Sequence, residues 1–176
     1  VVYFFSSKTF SMDYNRINKI TTFIFDVDGV LTDSQILITE SGDLLRSMST
    51  RDGQAIKFAI DAGYHVAIIT KGGSKGVRSR LTGLGITDIY DNLETKQAAY
   101  ADLISKYNLK SEEILYMGDD LPDIPLIKQV GLSACPNDAS SDVLAIATYI
   151  SPAKGGHGAV RDVIELIMRC QDKWPS

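Results

Sequence analysis

Cysteine is nearly missing from this chain. Cys135 and Cys170 are the only two, they stand far apart, and neither sits at metal-ligand spacing from a partner. That excludes a disulfide framework and a cysteine-held zinc, and leaves two free thiols expected in a reducing compartment. No apolar run is long enough to span a bilayer. Net charge is only −4 over 176 residues, so the overall field does not favour nucleic acid or an anionic membrane as partner. Internal repeats and low-complexity linkers are also absent. What remains is an ordinary globular composition, 44% hydrophobic and 23% charged, at a length that fits one domain with a real core.

The first twelve residues, VVYFFSSKTFSM, are apolar-aromatic and then polar. They lack the basic region and long apolar stretch of a signal peptide. Residues 1–12 are expected to be an extension or tag without order, with Met12 as a candidate start, and residues 13–176 to form a single domain. The terminal QDKWPS is expected to fray unless Trp174 docks.

From Ile20 onward, strand and helix patterns alternate. Apolar runs rich in β-formers fall at Ile20–Phe25, Tyr64–Thr70 and Ile114–Met117, with weaker ones at Gly131–Ala134 and Tyr149–Ile150. Helical patterns cover Gln54–Ala62, Ser74–Leu84, Thr95–Tyr107, Pro122–Gln129, Ser140–Ala147 and Ala159–Arg169. Gly63 and Gly85 stand where helices end. This alternation predicts an α/β fold, a Rossmann-like three-layer sandwich around a central parallel sheet. One segment breaks the pattern. Around Glu40-Ser41-Gly42-Asp43, two short strand-like runs predict a β-hairpin over about residues 35–49. Its apolar residues and edges need cover, from a neighbouring subunit or from the chain's own sheet.

Ligands of open α/β sheets bind beyond the carboxyl ends of the strands. There the sequence places Asp26 and Asp28 (in TFIFDVDGVLTD), then Thr70 with Lys71-Gly72-Gly73-Ser74, then Gly118-Asp119-Asp120-Leu121-Pro122-Asp123. Lys96 opens the helix before that third strand. If the strands are neighbours, several carboxylates, a hydroxyl and a lysine share one rim. Hard oxygen ligands suit Mg²⁺, and a cation makes crowded carboxylates tolerable. Phosphoryl transfer needs the same parts: a carboxylate nucleophile, a second carboxylate as acid and base, and donors on the phosphate oxygens. Other readings fit less well. In a calcium loop Val30 would have to be an acid or amide. In a receiver domain the phosphoacceptor Asp would end a middle strand, where Thr70 stands. KGGSKG lacks the spacing of a P-loop. Asp33 and Asp43 read as a loop acid and a hairpin charge, His65 as structural, and His157 and Arg161 as solvent-facing groups that could reach a substrate.

The ordered series DVDGVLTD, IIT, Lys96 and GDDLPD resembles the haloacid dehalogenase superfamily of phosphatases over roughly Ile20–Arg169. The hairpin, TRDGQAI and GGHGAVRDV resemble, within it, the 3-deoxy-D-manno-octulosonate 8-phosphate phosphatases. That resemblance implies a capless, tetrameric Mg²⁺-dependent phosphatase working through an aspartyl phosphate. It implies Asp26 as nucleophile, Asp28 as acid and base, and Mg²⁺ on Asp26, the Asp28 carbonyl and Asp119. It implies phosphate on Thr70, Lys71 and Lys96, with Asp123 orienting Lys96. Ser49, Thr50, Arg51, Asp52, Gly53, Lys57, Arg80 and Asp120 match positions around the sugar acid. It further implies hairpins packed between subunits, a cytoplasmic location and a place in lipopolysaccharide biosynthesis. One departure stands out: the arginine usual after the motif threonine is absent from Lys71-Gly72-Gly73. The nononate 9-phosphate ester and a non-catalytic metal-binding scaffold are the alternatives.

Overall fold

The computed structural model describes residues 14–175; the expected extension over residues 1–12 lies outside the described residues. Among the described residues, six strands form one parallel sheet in the order β5-β4-β1-β6-β7-β8. They are β1 (Thr22–Phe25), β4 (His65–Ile69), β5 (Asp88–Tyr90), β6 (Ile114–Met117), β7 (Leu132–Cys135) and β8 (Tyr149–Ile150). The register sets Phe25 beside Ile68 on one side and beside Met117 on the other, so the ends of β4, β1 and β6 align.

Side chains alternate across a strand, and both faces of a parallel sheet are covered. Phe23, Phe25, Val66, Ile68, Leu115 and Met117 face one layer. That layer is built from α1 (Tyr14–Ile17), α2 (Thr50–Asp61), α3 (Lys75–Gly83) and α7 (Ala159–Cys170). Ile24, Ala67, Ile69, Ile114 and Tyr116 face the other, made of α4 (Lys96–Tyr107), α5 (Ile124–Ile127) and α6 (Ser141–Ile146). This is the three-layer sandwich expected, with no cap domain among the described residues.

Gly63 and Gly85 follow helices with positive φ of 86° and 99°, as their sequence positions predict. Two boundaries differ. Strand β5 was not signalled: Asp88-Ile89-Tyr90 is three residues long and pairs on one side only. Helix α2 begins at Thr50, four residues earlier than its apolar pattern. Ser49 caps it, its hydroxyl accepting from the N–H groups of Arg51 and Asp52.

The hairpin forms, as β2 (Leu37–Ile38) and β3 (Leu44–Leu45), and stays separate from the main sheet. Its tip is closed by Gly42 at φ 87° and by the Ser41 hydroxyl donating to Asp43 at 2.6 Å. Leu37 and Ile38 are 68% and 67% exposed. Ile36, Leu44 and Leu45 are exposed beside them.

Candidate active site

β1 has β4 and β6 as its two neighbours, and the chain reverses direction across the sheet between them. That is the crevice where open α/β sheets bind ligands. Asp26 leaves β1 there, and its N–H donates to the Met117 carbonyl at 3.0 Å. Its carboxylate accepts from the Val27 N–H at 2.7 Å and lies 2.7 Å from Lys96 Nζ.

Lys96 reaches this point from the first turn of α4 and is 2% exposed. A buried ammonium needs partners, and it has three: the carboxylates of Asp26 and Asp123 and, at 3.4 Å, the Tyr116 hydroxyl oxygen. The Asp123 carboxylate is the hub. One oxygen accepts from Lys96 and from the Tyr116 hydroxyl. The other accepts from the N–H groups of Asp119 and Asp120, at 2.9 and 3.2 Å. Asp123 therefore has no free direction left for a metal, and its task is to hold Lys96 and the 118–123 loop.

Asp26, Asp119 and Asp123 place carboxylate oxygens within 4.8 Å of one another. The electrostatics record the crowding. Burial pushes the Asp119 carboxyl up to about 7, with the charges of Asp26 and Asp123 adding to it. Burial likewise raises Asp26 to about 6, against the pull of Lys96. Burial works against the Lys96 ammonium, but Asp26 and Asp123 outweigh it and hold its pKa above the usual value. Two carboxyls that ionise with difficulty, all-oxygen and with one side open, fit a hard divalent cation.

Close backbone approach fixes the loop. A Cβ on Gly29 would fall 2.0 Å from an Asp119 oxygen, and one on Gly155 would fall 2.0 Å from the Gly29 carbonyl. The Gly156 N–H donates to the Val30 carbonyl at 2.9 Å. Gly155-Gly156 thus buttresses the loop that carries Asp26 and Asp28.

Asp28 is turned to a second corner. Both its oxygens are gripped by Arg46, from Nε at 2.6 Å and Nη2 at 3.1 Å. Asp28, Arg46, Thr70, Gly72, Ser74 and Arg78 line one shallow cleft. Neither Arg46 nor Tyr116 was singled out from the sequence.

The remaining expected residues divide. Lys71 and Lys57 are exposed, as are Thr50 and Arg51 beside the capping Ser49. The side chain of Arg80 lies against Gly53, where a Cβ would stand 2.7 Å from Nη2. Asp120 sits exposed at the edge of the cluster. Asp52 is 1% exposed and aimed elsewhere: its oxygens accept from the N–H groups of Gly158 and Arg161, so it caps α7. Asp33 is a loop acid, accepting from the Gln35 N–H at 3.1 Å. Arg161 pairs with Glu165 one turn on.

Comparison with known proteins gives a consistent picture. A family model for haloacid dehalogenase-like hydrolases matches residues 74–164. The chain is 40% identical, over 90% of its length and 84% of the relative's, to the 3-deoxy-D-manno-octulosonate 8-phosphate phosphatase of Yersinia pestis. Identity to the Escherichia coli K12 enzyme of that name is 39% over the same shares. The solved Yersinia pestis structure superposes with a TM-score of 0.89 at 40% identity, covering 91% of this chain and 86% of that one. The Moraxella catarrhalis phosphatase, solved with magnesium, phosphate and KDO, gives 0.87 at 33% identity, covering 90% and 91%.

Proposed function

Because the chain belongs to the haloacid dehalogenase-like hydrolases, and among them to the 3-deoxy-D-manno-octulosonate 8-phosphate phosphatases, we infer that it is a Mg²⁺-dependent phosphatase of that sugar acid ester. The observation that carries the reading is the convergence of Asp26, Asp119 and Lys96 at the switch point of the sheet. The named relatives favour the octulosonate ester over the nononate ester and over a scaffold without turnover.

Asp26 is the nucleophile. Its carboxylate oxygen bonds to phosphorus while the bond from phosphorus to the sugar oxygen breaks, and Asp28 gives that oxygen its proton. In the second half Asp28 takes a proton from water. The water oxygen bonds to phosphorus and the bond to Asp26 breaks, which releases phosphate and restores both carboxyls. Lys96 and Thr70 hold phosphate oxygens, with exposed Lys71 at the entrance. Asp123 positions Lys96, and Tyr116 stays a neutral donor, its pKa raised by burial and by Asp123. Asp26, the Asp28 carbonyl and Asp119 would hold Mg²⁺, which when bound neutralises the charge of the transferring group. Ser49, Thr50, Arg51, Gly53, Lys57, Arg80 and Asp120 are proposed to surround the sugar acid. Asp52, matched to the same segment, serves it by fixing α2 to α7.

A pH prediction follows from the two raised carboxyls. Folded and metal-free, Asp26 and Asp119 keep protons that the unfolded chain has lost above the ordinary value of 3.8. Their contribution to stability therefore falls as pH rises through about 6 and about 7, and levels off above. Mg²⁺ binds the ionised pair and offsets that loss. Differential scanning fluorimetry should show a larger Mg²⁺-induced rise in Tm at about pH 8 than at about pH 5. An equal rise at both would detach the cation from these carboxyls.

No described helix is long and apolar enough to cross a membrane. A cytoplasmic location, in lipopolysaccharide biosynthesis, follows from the substrate reading. A tetramer built through the hairpin is likewise proposed; exposed Leu37, Ile38, Leu44 and Leu45 support it. Ile38→Asp should convert the assembly to smaller species in sedimentation velocity. A wild-type chain that sediments as a monomer at working concentration contradicts the proposed assembly.

A further inference from the structure

The hairpin sends one side chain back into the site. Arg46 follows β3, whose leucines are exposed, yet its own side chain is only 6% exposed. Its guanidinium meets Asp28 with two nitrogens on two oxygens, at 2.6 and 3.1 Å. A third nitrogen, Nη1, donates to the Leu44 carbonyl at 3.3 Å. Such a fork fixes both the plane and the distance of a carboxylate, as a lysine cannot.

The 70–73 segment is shaped around this pair. A Cβ on Gly72 would lie 2.9 Å from Asp28 Oδ2, 3.6 Å from Arg46 Nη2 and 3.9 Å from Thr70 Oγ1. A side chain at 72 would push the Asp28 carboxylate from the place where Arg46 holds it. Residues 71–73 carry no arginine of their own. Two arginines line the cleft, Arg78 and Arg46, and the one that grips Asp28 arrives from the hairpin, 18 residues beyond it.

We propose that Arg46 is a positioning residue for phosphoryl transfer. It holds the Asp28 carboxyl group where it can protonate the departing sugar oxygen, and so makes the placement of the hairpin part of the reaction geometry. This rests on the reading of Asp28 as the general acid. An acid that is misplaced loses its rate advantage, which for positioned proton transfer is about 10²- to 10⁴-fold. The loss depends on the leaving group. A sugar alkoxide cannot leave without a proton, whereas a nitrophenolate can.

The test compares kcat/KM for 3-deoxy-D-manno-octulosonate 8-phosphate and for p-nitrophenyl phosphate, with Mg²⁺, in the wild type, Arg46→Ala, Arg46→Gln and Arg46→Lys. This constant covers only the steps up to the phosphoenzyme, so the later use of Asp28 as base does not enter. Both neutral variants should lose at least about tenfold more on the sugar ester than on the aryl ester, and Arg46→Lys should fall between. Residual aryl ester turnover certifies the fold. Equal losses on both esters, or none on either, overturn the proposal. If the wild type cleaves neither ester, the phosphatase reading itself fails, a result seen before any variant is made.

Discussion

Asp26→Asn should abolish phosphate release from the sugar ester, by at least about 10⁴-fold in kcat, while leaving the protein folded. Asparagine keeps the shape of the side chain and removes its ability to form an acyl phosphate. The fold should survive for a specific reason. Burial raises the Asp26 carboxyl to about 6, so its charge is held there at a cost that the amide does not carry. Lys96 loses one anionic partner but keeps Asp123. The Tm should move by no more than about 5 °C. Wild-type protein quenched during turnover should carry one acid-stable, hydroxylamine-labile phosphoryl group, and the variant none. Retained turnover in the variant would remove the nucleophile from Asp26.

The second large effect is on stability. Asp123→Ala should destabilise the protein by about 3–5 kcal/mol, since it leaves buried donors without an acceptor and Lys96 with Asp26 as its one remaining carboxylate. For a chain of this size that is on the order of 10 °C in Tm. Four donors lose their shared acceptor at once: Lys96 Nζ, the Tyr116 hydroxyl and the N–H groups of Asp119 and Asp120. Two of these are side chains buried in the core. Combining the change with Lys96→Met should cost less than the sum of the two, because the methionine removes the ammonium that Asp123 paired. Urea unfolding of the two single variants and the double variant reads this directly. Strict additivity would mean that the hub does not hold Lys96.

Most of the fold was legible because it is carried by local signals. Apolar runs of strand length alternate with helical periods, and glycines mark two helix ends. The polar cluster was legible for a related reason. Asp26, Thr70 and Asp119 each follow a strand at the same end of a parallel sheet, so adjacency of β4, β1 and β6 brings their segments to one rim. What escaped was non-local or small. Strand β5 is three residues with an aspartate at its head, held by a single neighbour. Nothing near Asp52 announces that its carboxylate caps a helix 106 residues on. Arg46 reads as a hairpin charge until the hairpin is folded back on Asp28. Tyr116 reads as core, and it is core, with only its hydroxyl reaching the Lys96–Asp123 pair. Buried polar hubs assemble from groups whose individual patterns are those of ordinary helix, strand or loop residues.

This arrangement of carboxylates, lysine and threonine is proposed to hydrolyse one kind of ester through Mg²⁺ and Asp26. The direct measurement is phosphate release from 3-deoxy-D-manno-octulosonate 8-phosphate and from the nononate 9-phosphate ester, with Mg²⁺ and with excess chelator. The expected result is a kcat/KM of about 10⁴ M⁻¹s⁻¹ or more for the octulosonate ester, a lower value for the nononate ester, and loss of both in chelator. No release from the octulosonate ester, or release unaffected by chelator, would contradict it.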